Sequence, residues 1–367
     1  MRVLHVITGL AAGGAETQLR LLLRHTRHQA EVVSLTNPGS VAEAIRSDGT
    51  PVVNLSMRSN LEPQAVPRLV GLIRSGQYDA VHTHLYRACL YGRLAARLAR
   101  VPLVVATEHS LLEGQIERRR TTAGVRALYR VSERLGDVTI AVSSVVRQRL
   151  IQWGVAEHRI VYIPNGIDPA GLRFRAEDRA LVREDLRVPA NATVVGAVGR
   201  LDRGKNLDVI ISALAPLLRQ DLILVLVGDG PERRSLAELA TSLGAADRVI
   251  FAGERGNIGP ILSGMDVFVS ASLKETFGLA TLEALANGLP VIYGVCPALD
   301  ELEIPVPGAL RAKGVDGMRA AVAEAAARPA GARVAPTAID RYAVSHTAAA
   351  IDDLYDALWD QRRSRKV

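Results

Sequence analysis

Two doubly wound α/β domains in series are the fold class predicted for this 367-residue chain. Three observations predict it. Short apolar strands alternate with amphipathic helical runs along both halves, the order that builds parallel sheets. Hydrophobic residues make up 48% of the chain but aromatics only 4%, so the interior must be built from Val, Leu, Ile and Ala, as where helices pack on buried parallel strands. The turn Pro164-Asn165-Gly166 interrupts the alternation near the middle, a hinge between two domains of about 150 to 200 residues each.

Residues 3–7 form a short apolar strand, followed by a glycine-rich loop and an amphipathic stretch, 17–24, that opens a helix. Strand, loop and helix in that order make a Rossmann-like start. Residues 31–35, 51–55, 80–82, 103–106 and 138–142 repeat the strand pattern, with helical runs at 66–75 and 88–100 between them. A strand at 160–163 stops at Pro164-Asn165-Gly166-Ile167-Asp168. After a charged segment at 176–187, a second series begins, with strands at 193–198, 223–227, 249–251, 267–270 and 291–293. Residues 339–359 read as a helix leading into the basic run Arg362-Arg363-Ser364-Arg365-Lys366. The domains are therefore expected at 1–168 and 169–345, with 346–367 as a C-terminal helix crossing back to the first. In such sheets ligands bind at the carboxyl ends of the strands, so each loop after a strand is a candidate site.

Composition narrows the function classes. The longest apolar runs, such as 222–227, fall far short of the roughly 20 residues a membrane span needs. Gly13, Gly14 and Glu16 interrupt the first apolar stretch before a signal peptide develops, and two cysteines, Cys89 and Cys296, make no disulfide framework or metal cluster, so a reduced, cytoplasmic setting is expected. Residues 1–168 hold 21 Arg and no Lys against 13 acidic residues, whereas the remainder is near neutral. That basic half suits a phosphorylated substrate or an anionic lipid surface. Nucleic acid is the weakest partner, since no aromatic-studded basic strand or recognition helix accompanies the charge. The sharpest cluster is Glu117-Arg118-Arg119-Arg120 followed by Arg126, Arg130 and Arg134 at helical spacing with Leu128 and Val131 between. It reads as a solvated helix face or as a peripheral contact with the inner membrane face.

Two glutamates eight apart, Glu275 and Glu283, bracket a Thr-Phe-Gly turn that opens a helix. Were all eight steps helical, they would lie about 12 Å apart along the axis and roughly 80° around it. Free amides at that helix start favour an anion, so a diphosphate with a sugar on each side fits. The run from Gly199 to Asn206 nearly spells a phosphate-binding G-x-x-x-x-G-K-[ST] loop, but Asn206 stands where an NTPase needs a hydroxyl. Arg200 and Lys205 remain as two cations after a strand, able to stabilise a diphosphate without a metal. The loop Gly9 to Glu16 lacks the G-x-G-x-x-G spacing, and the next strand ends in Thr36-Asn37 with no acid for a ribose, so a nicotinamide cofactor is not expected. His82, His84 and His109 are placed after strands. His82 and His84 on an extended segment would point to one face, but no further His or Cys stands near them in the motif, and no metal is expected. His109 is the better functional candidate.

Together these stretches resemble the retaining glycosyltransferases of family 4 (glycosyl transferases group 1), which have the GT-B fold of two Rossmann-like domains facing a central cleft. The matching residues are Gly13-Gly14-Ala15-Glu16, His109, Pro164 to Asp168, Gly199-Arg200-Leu201 with Gly204-Lys205-Asn206, Val227 to Pro231, and E-x-F-G-x-x-x-x-E from Glu275 to Glu283. The resemblance covers nearly the whole chain and implies an enzyme that moves a sugar from a UDP or GDP sugar to a hydroxyl acceptor with no cofactor or metal. It implies that Arg200 and Lys205 hold the diphosphate, that Gly278 and Leu279 add amide donors, that Glu283 accepts the ribose hydroxyls, and that Glu275 contacts the donor sugar. Gly14 would lie near the phosphates, and His109 would approach the reacting sugar. Gly13, Glu16, His84 and His109 are the candidates on the acceptor side. The acceptor itself, a lipid-linked saccharide or a soluble small molecule, is not legible. The family pattern departs at 293–301, where Tyr293-Gly294-Val295-Cys296 stands in place of a Gly-Gly and acid. The competing classes are a non-catalytic nucleotide-sugar-binding partner and another GT-B enzyme, a nucleotide-sugar epimerase or a phosphorylase. The intact charged residues argue against the first, and the lack of a convincing pyridoxal lysine against a phosphorylase.

Overall fold

The computed structural model describes residues 1–59, 61–117, 119–328 and 332–364. Arg118, and Arg365 and Lys366 of the basic tail, lie outside them. Contacts divide the chain into two units, Met1–Gly166 with the chain from Val344 onward, and Ile167–Ala343.

The first unit begins with strands β1 (Arg2–Ile7), β2 (Gln29–Ser34), β3 (Val52–Asn54), β4 (Ala80–His84) and β5 (Leu103–Glu108). Three two-residue strands follow, β6 (Leu111–Leu112), β7 (Gln115–Ile116) and β8 (Arg119–Arg120), and then β9 (Val138–Ala141) and β10 (Ile160–Tyr162). Seven of them form one sheet in the order β10-β9-β5-β4-β1-β2-β3, parallel at every pairing. The chain winds outward from β1 through β2 to β3, then returns to β4 on the other side of β1, so a topological switch point falls between β1 and β4. Central strands covered on both faces must be apolar throughout, and every residue of β4 and β5 is buried. The polar members of these two strands, His82, Thr83, His84, Thr107 and Glu108, are therefore exceptions that hydrogen bonding has to justify. β6, β7 and β8 make a separate antiparallel sheet.

Helix boundaries differ most from the sequence-based expectation at the two ends of this unit. The first helix runs Gly14–His25, taking in Gly14, Ala15 and Glu16, which were expected in a loop. The tail is a 3-10 stretch, Thr337–Tyr342, and then a helix, Val344–Ser364. Ala348, Ile351 and Tyr355 of that helix join Val3, Leu22, Leu103, Val105 and Ile140 in one buried cluster. Asp352 fixes its register by accepting from Thr26 Oγ1 at 2.6 Å and from the Arg27 amide at 2.9 Å, at the end of Gly14–His25.

The second unit contains β11 (Thr193–Val198), β12 (Leu222–Val227), β13 (Val249–Gly253), β14 (Val267–Ser270), β15 (Val291–Tyr293) and β16 (Ala309–Arg311). They form a parallel sheet in the order β13-β12-β11-β14-β15-β16. Its switch point lies between β11 and β14. The two ends of this unit meet, with the Ile167 amide donating to Tyr342 O at 2.7 Å beside an Ile167–Ala343 bridge.

Candidate active site

In the second unit the predicted donor-site residues gather at the switch point. The loop after β11 is tied to the loop after β12 by three backbone hydrogen bonds, from the Gly199 amide to Val227 O, from the Leu201 amide to Asp229 O and from the Glu232 amide to Leu201 O. Gly228 is held at φ +128, and a Cβ there would overlap Gly199 O, so this crossing demands glycine. Asp202 caps the 3-10 turn Arg203–Lys205 by accepting from the Gly204 amide at 3.0 Å. Asn206, left-handed at φ 49, then redirects the chain into the helix Leu207–Leu214. Asn206 is thus a turn residue, a role asparagine fills more readily than serine or threonine because it tolerates this conformation.

The Lys205 stem lies against Gly199, and its ammonium meets Glu275 Oε1 at 2.5 Å. These side chains are 31% and 16% exposed, so the pair is partly desolvated yet open to a ligand. Arg200 is half exposed, its only ion pair among the described residues a loose one with Asp202 at 3.8 Å.

Glu275 stands in the loop after β14, followed by Phe277, buried and edge-on to Tyr342 at 5.4 Å between ring centres. Gly278 is left-handed, φ +98, and caps the helix Leu279–Ala286. A Cβ on Gly278 would strike Cys296 Sγ, so the departing segment at 293–301 packs directly under the Thr-Phe-Gly turn. Cys296 and Pro297 there are buried, and the Ala298 amide donates to Phe277 O at 3.0 Å. The Thr281 and Leu282 amides close on Gly278 O. The Leu279 and Ala280 amides have no intrahelical carbonyl to reach. Glu283, on the second turn of that helix, has its carboxyl pushed up to about 7 by burial. A shallow concavity of about 730 Å³ lined by Arg187, Arg219 and Arg248 lies instead at the amino ends of these strands, away from the charged loops.

In the first unit, Gly13 and Gly14 start a helix, with Gly13 extended at the N-cap and Glu16 in the first turn. The Glu16 carboxylate lies against Gly13, where a Cβ would collide with it. That places the acid at its own helix start, where the macrodipole favours a negative charge.

His82 and His84, expected after a strand, sit inside β4. They are still paired there, because His84 remains in register with Ile7 and with Thr107. His5 of β1 is in register with His82 and joins them on one face. It escaped the sequence reading because 77 residues separate it from His82. The available signal was one polar residue in an otherwise apolar strand. His82 Nδ1 pairs with Tyr355 Oη at 2.5 Å and His82 Nε2 with Thr107 Oγ1 at 2.7 Å. His5 Nδ1 pairs with His84 Nε2 at 3.0 Å, and His84 Nδ1 with His109 Nε2 at 3.3 Å.

All four rings are buried, and burial keeps them neutral: it lowers His5 to about 3 and His109 to about 4, the latter opposed by the Asn165 side chain. His82 and His84 are driven well below their ordinary value, first by burial. Ring nitrogens of His5, His82 and His84 all lie within 4.8 Å of one another. Both His82 nitrogens are already engaged, by Tyr355 and Thr107, so a metal bound through His82 would have to displace one of those contacts.

A cavity of about 20 Å³, lined by Gln18, His84, Thr107, His109, Asn165 and Thr347 among others, adjoins His84 and His109. Gln18 fixes the turn beside it, donating to Gly166 O at 2.6 Å and accepting from the Gly166 amide at 2.8 Å. No motif marked Gln18, whose role depends on a residue 148 positions away.

Residues 12–170 match the model for Glycosyltransferase Family 4, and residues 178–306 match that for Glycosyl transferases group 1. The chain is 30% identical over 256 residues to the UDP-Gal:alpha-D-GlcNAc-diphosphoundecaprenol alpha-1,3-galactosyltransferase of Escherichia coli, covering 68% of this chain and 66% of that one. It is 29% identical over 390 residues to the D-inositol 3-phosphate glycosyltransferase of Rhodococcus opacus, covering 95% and 86%. Among solved structures it resembles Anabaena HepE in complex with UDP-glucose, with a TM-score of 0.77, 23% identity and coverage of 100% and 99%. It also resembles the sucrose-phosphate synthase of Thermosynechococcus elongatus, with a TM-score of 0.78, 20% identity and coverage of 98% and 100%. The chain is a glycosyltransferase of family 4 with the GT-B fold, an enzyme that transfers sugar from a nucleotide sugar.

Proposed function

We propose that the transfer retains the configuration of the sugar, uses a UDP or GDP sugar and needs no metal, with Lys205 and Arg200 supplying the positive charge for the leaving diphosphate. The observation that carries this reading is the Lys205–Glu275 pair at the switch point of the second unit. Without donor, Glu275 holds the ammonium in place. When a diphosphate arrives, Lys205 exchanges a carboxylate for a phosphate oxygen, and Glu275 is released to accept sugar hydroxyls. Leu279 and Gly278 supply amides at the helix start, and Glu283 takes the ribose hydroxyls. The sugar–phosphate C–O bond breaks as the acceptor oxygen bonds the same carbon. The departing phosphate oxygen takes the acceptor proton, so no protein base is required and the protein's work is positioning and charge stabilisation.

In the first unit, His109 serves the reacting sugar from the acceptor side, with His84 behind it. Gly14 lies at the phosphates, and Gly13 and Glu16 shape the loop. UDP as the donor nucleotide is supported by the galactosyltransferase named for UDP-Gal and by HepE solved with UDP-glucose. The test is to screen UDP, GDP, ADP and TDP sugars for hydrolysis and then read the anomer of the product by NMR. An inverted anomer, or turnover abolished by chelation and restored by a divalent ion, would overturn the reading.

The acceptor is proposed to be a lipid-linked saccharide met at the cytoplasmic membrane face. Leu128 and Val131 are 52% and 63% exposed on the helix Ala123–Glu133, which also carries Arg126 and Arg130. No described helix is long and apolar enough to cross a membrane, so the contact would be peripheral. Binding to anionic liposomes should fall steeply with salt. Absence of binding at every salt concentration would favour a soluble acceptor, for which the inositol phosphate used by the Rhodococcus relatives is the first to try.

A further inference from the structure

The three imidazoles His5, His84 and His109 form a continuous hydrogen-bonded line from the middle of the sheet to the end of β5. Every link joins one ring nitrogen to another, at 3.0 Å and 3.3 Å. A neutral imidazole carries one N–H donor and one bare acceptor nitrogen. In a line of neutral rings the protons must therefore all point the same way, toward His5 or toward His109. A mixed arrangement would set two N–H groups or two lone pairs against each other in a buried site, which is expensive.

The outer end selects between the two directions. His109 Nδ1 is buried, and among the described residues no hydrogen bond closes on it, the Asn165 side chain lying beside the ring without reaching this nitrogen at bonding geometry. An orphaned buried N–H is rarer than an under-used acceptor. The bare nitrogen therefore belongs at Nδ1, and the proton on Nε2, donated to His84.

We propose that His84, backed by His5, is a positioning residue that fixes His109 in its Nε2–H tautomer, so that His109 presents a bare Nδ1 to a hydroxyl of the bound ligand. The consequence is chemical selectivity: His109 accepts a hydrogen bond from the ligand and does not donate one. This rests on the assignment of His109 to the reacting sugar, whereas the tautomer itself does not depend on it. His82 is outside the line, because its two nitrogens are engaged by Tyr355 and Thr107. Asn165 is the other side chain that reaches His109.

The experiment is ¹⁵N NMR of the imidazole nitrogens in the full-length chain, for the wild type and for His84→Leu and His84→Gln. In the wild type, His109 and His84 should each show a protonated Nε2 and a bare Nδ1, unchanged between pH 6 and 8. The opposite tautomer at His109, or rapid exchange between tautomers, would overturn the proposal without any variant having to fold. His84→Leu should leave His109 populating both tautomers and lower kcat for transfer about tenfold, with KM for the donor within twofold. His84→Gln, whose side-chain oxygen can still accept from Nε2, should recover the tautomer and most of the kcat. An unchanged His109 spectrum in His84→Leu would reject the positioning role. Full turnover in His109→Ala, with the wild-type tautomer as expected, would instead reject only the placement of His109 at the sugar.

Discussion

The two units use the same sheet architecture and the same switch-point position, yet their sites are electrostatic opposites. In the second unit an ammonium and a carboxylate face each other, partly open to solvent. In the first, four imidazoles are buried and kept neutral. A partly exposed charge can be exchanged for a ligand's charge at little desolvation cost, whereas buried neutral groups hold their hydrogen-bonding pattern because ionising them is costly. One site is built to respond to a charged ligand, the other to keep its shape.

The largest expected effect that tests this contrast is at Lys205. Lys205→Ala should lower turnover by about 10² to 10³, the loss typical of removing one donor to a developing anion. Near-normal turnover at saturating donor would show that the second unit's charge is dispensable. Next in size is the titration of Glu283. With its carboxyl at about 7, donor affinity should fall about tenfold between pH 8 and pH 6, because only the ionised form accepts two hydroxyls. Calorimetry with the intact sugar nucleotide reads this, and Glu283→Gln should bind weakly with a flat profile. Equal affinity of the wild type at both pH values would take Glu283 off the ribose.

Stability should show the reverse preference at the same residue. A carboxyl whose folded value is raised contributes stability that is full below its unfolded value near 4.5 and is lost as pH rises through about 7. Glu283→Gln should therefore be more stable than wild type at pH 8, by about 1 to 3 kcal/mol, and equal to it near pH 4.5. Thermal melts at the two pH values check the sign. The smallest expected effect belongs to the first unit. Since His109 lies at about 4, it should add no limb to the pH–rate profile between pH 5 and 8, and Glu283→Gln should flatten kcat/KM to within about twofold across that range. A residual limb near neutral pH would come from an imidazole only if it survived Glu108→Gln, because burial also raises the Glu108 carboxyl beside His109 to about 7.

Much of this was legible in the chain. β11, β14 and β15 fall where their apolar runs lie, because strands buried on both faces leave uninterrupted Val, Leu and Ile. β6 to β8 and β16 escaped because two or three residues show no period. The residues of the donor site were named from their motifs, but the Lys205–Glu275 contact was not, since it depends on β14 returning beside β11. The same holds for His5, made a neighbour of His84 only by the register of β1 and β4. The position of Glu16 against Gly13 was not legible either, because it depends on Gly13 being extended where the helix begins. Local chemistry is written locally, and pairings across strands are not.

The return of Val344–Ser364 to the first unit has a consequence for how the protein is made. Its Tyr355 closes over His82, yet Tyr355 is synthesised only after the whole of Ile167–Ala343. Chains emerge amino end first and their domains fold as they appear, so the nascent first unit must wait with its histidine face uncovered while the second is completed. A chain that ends before this helix would have its second unit whole while His82 lacked its Tyr355 partner.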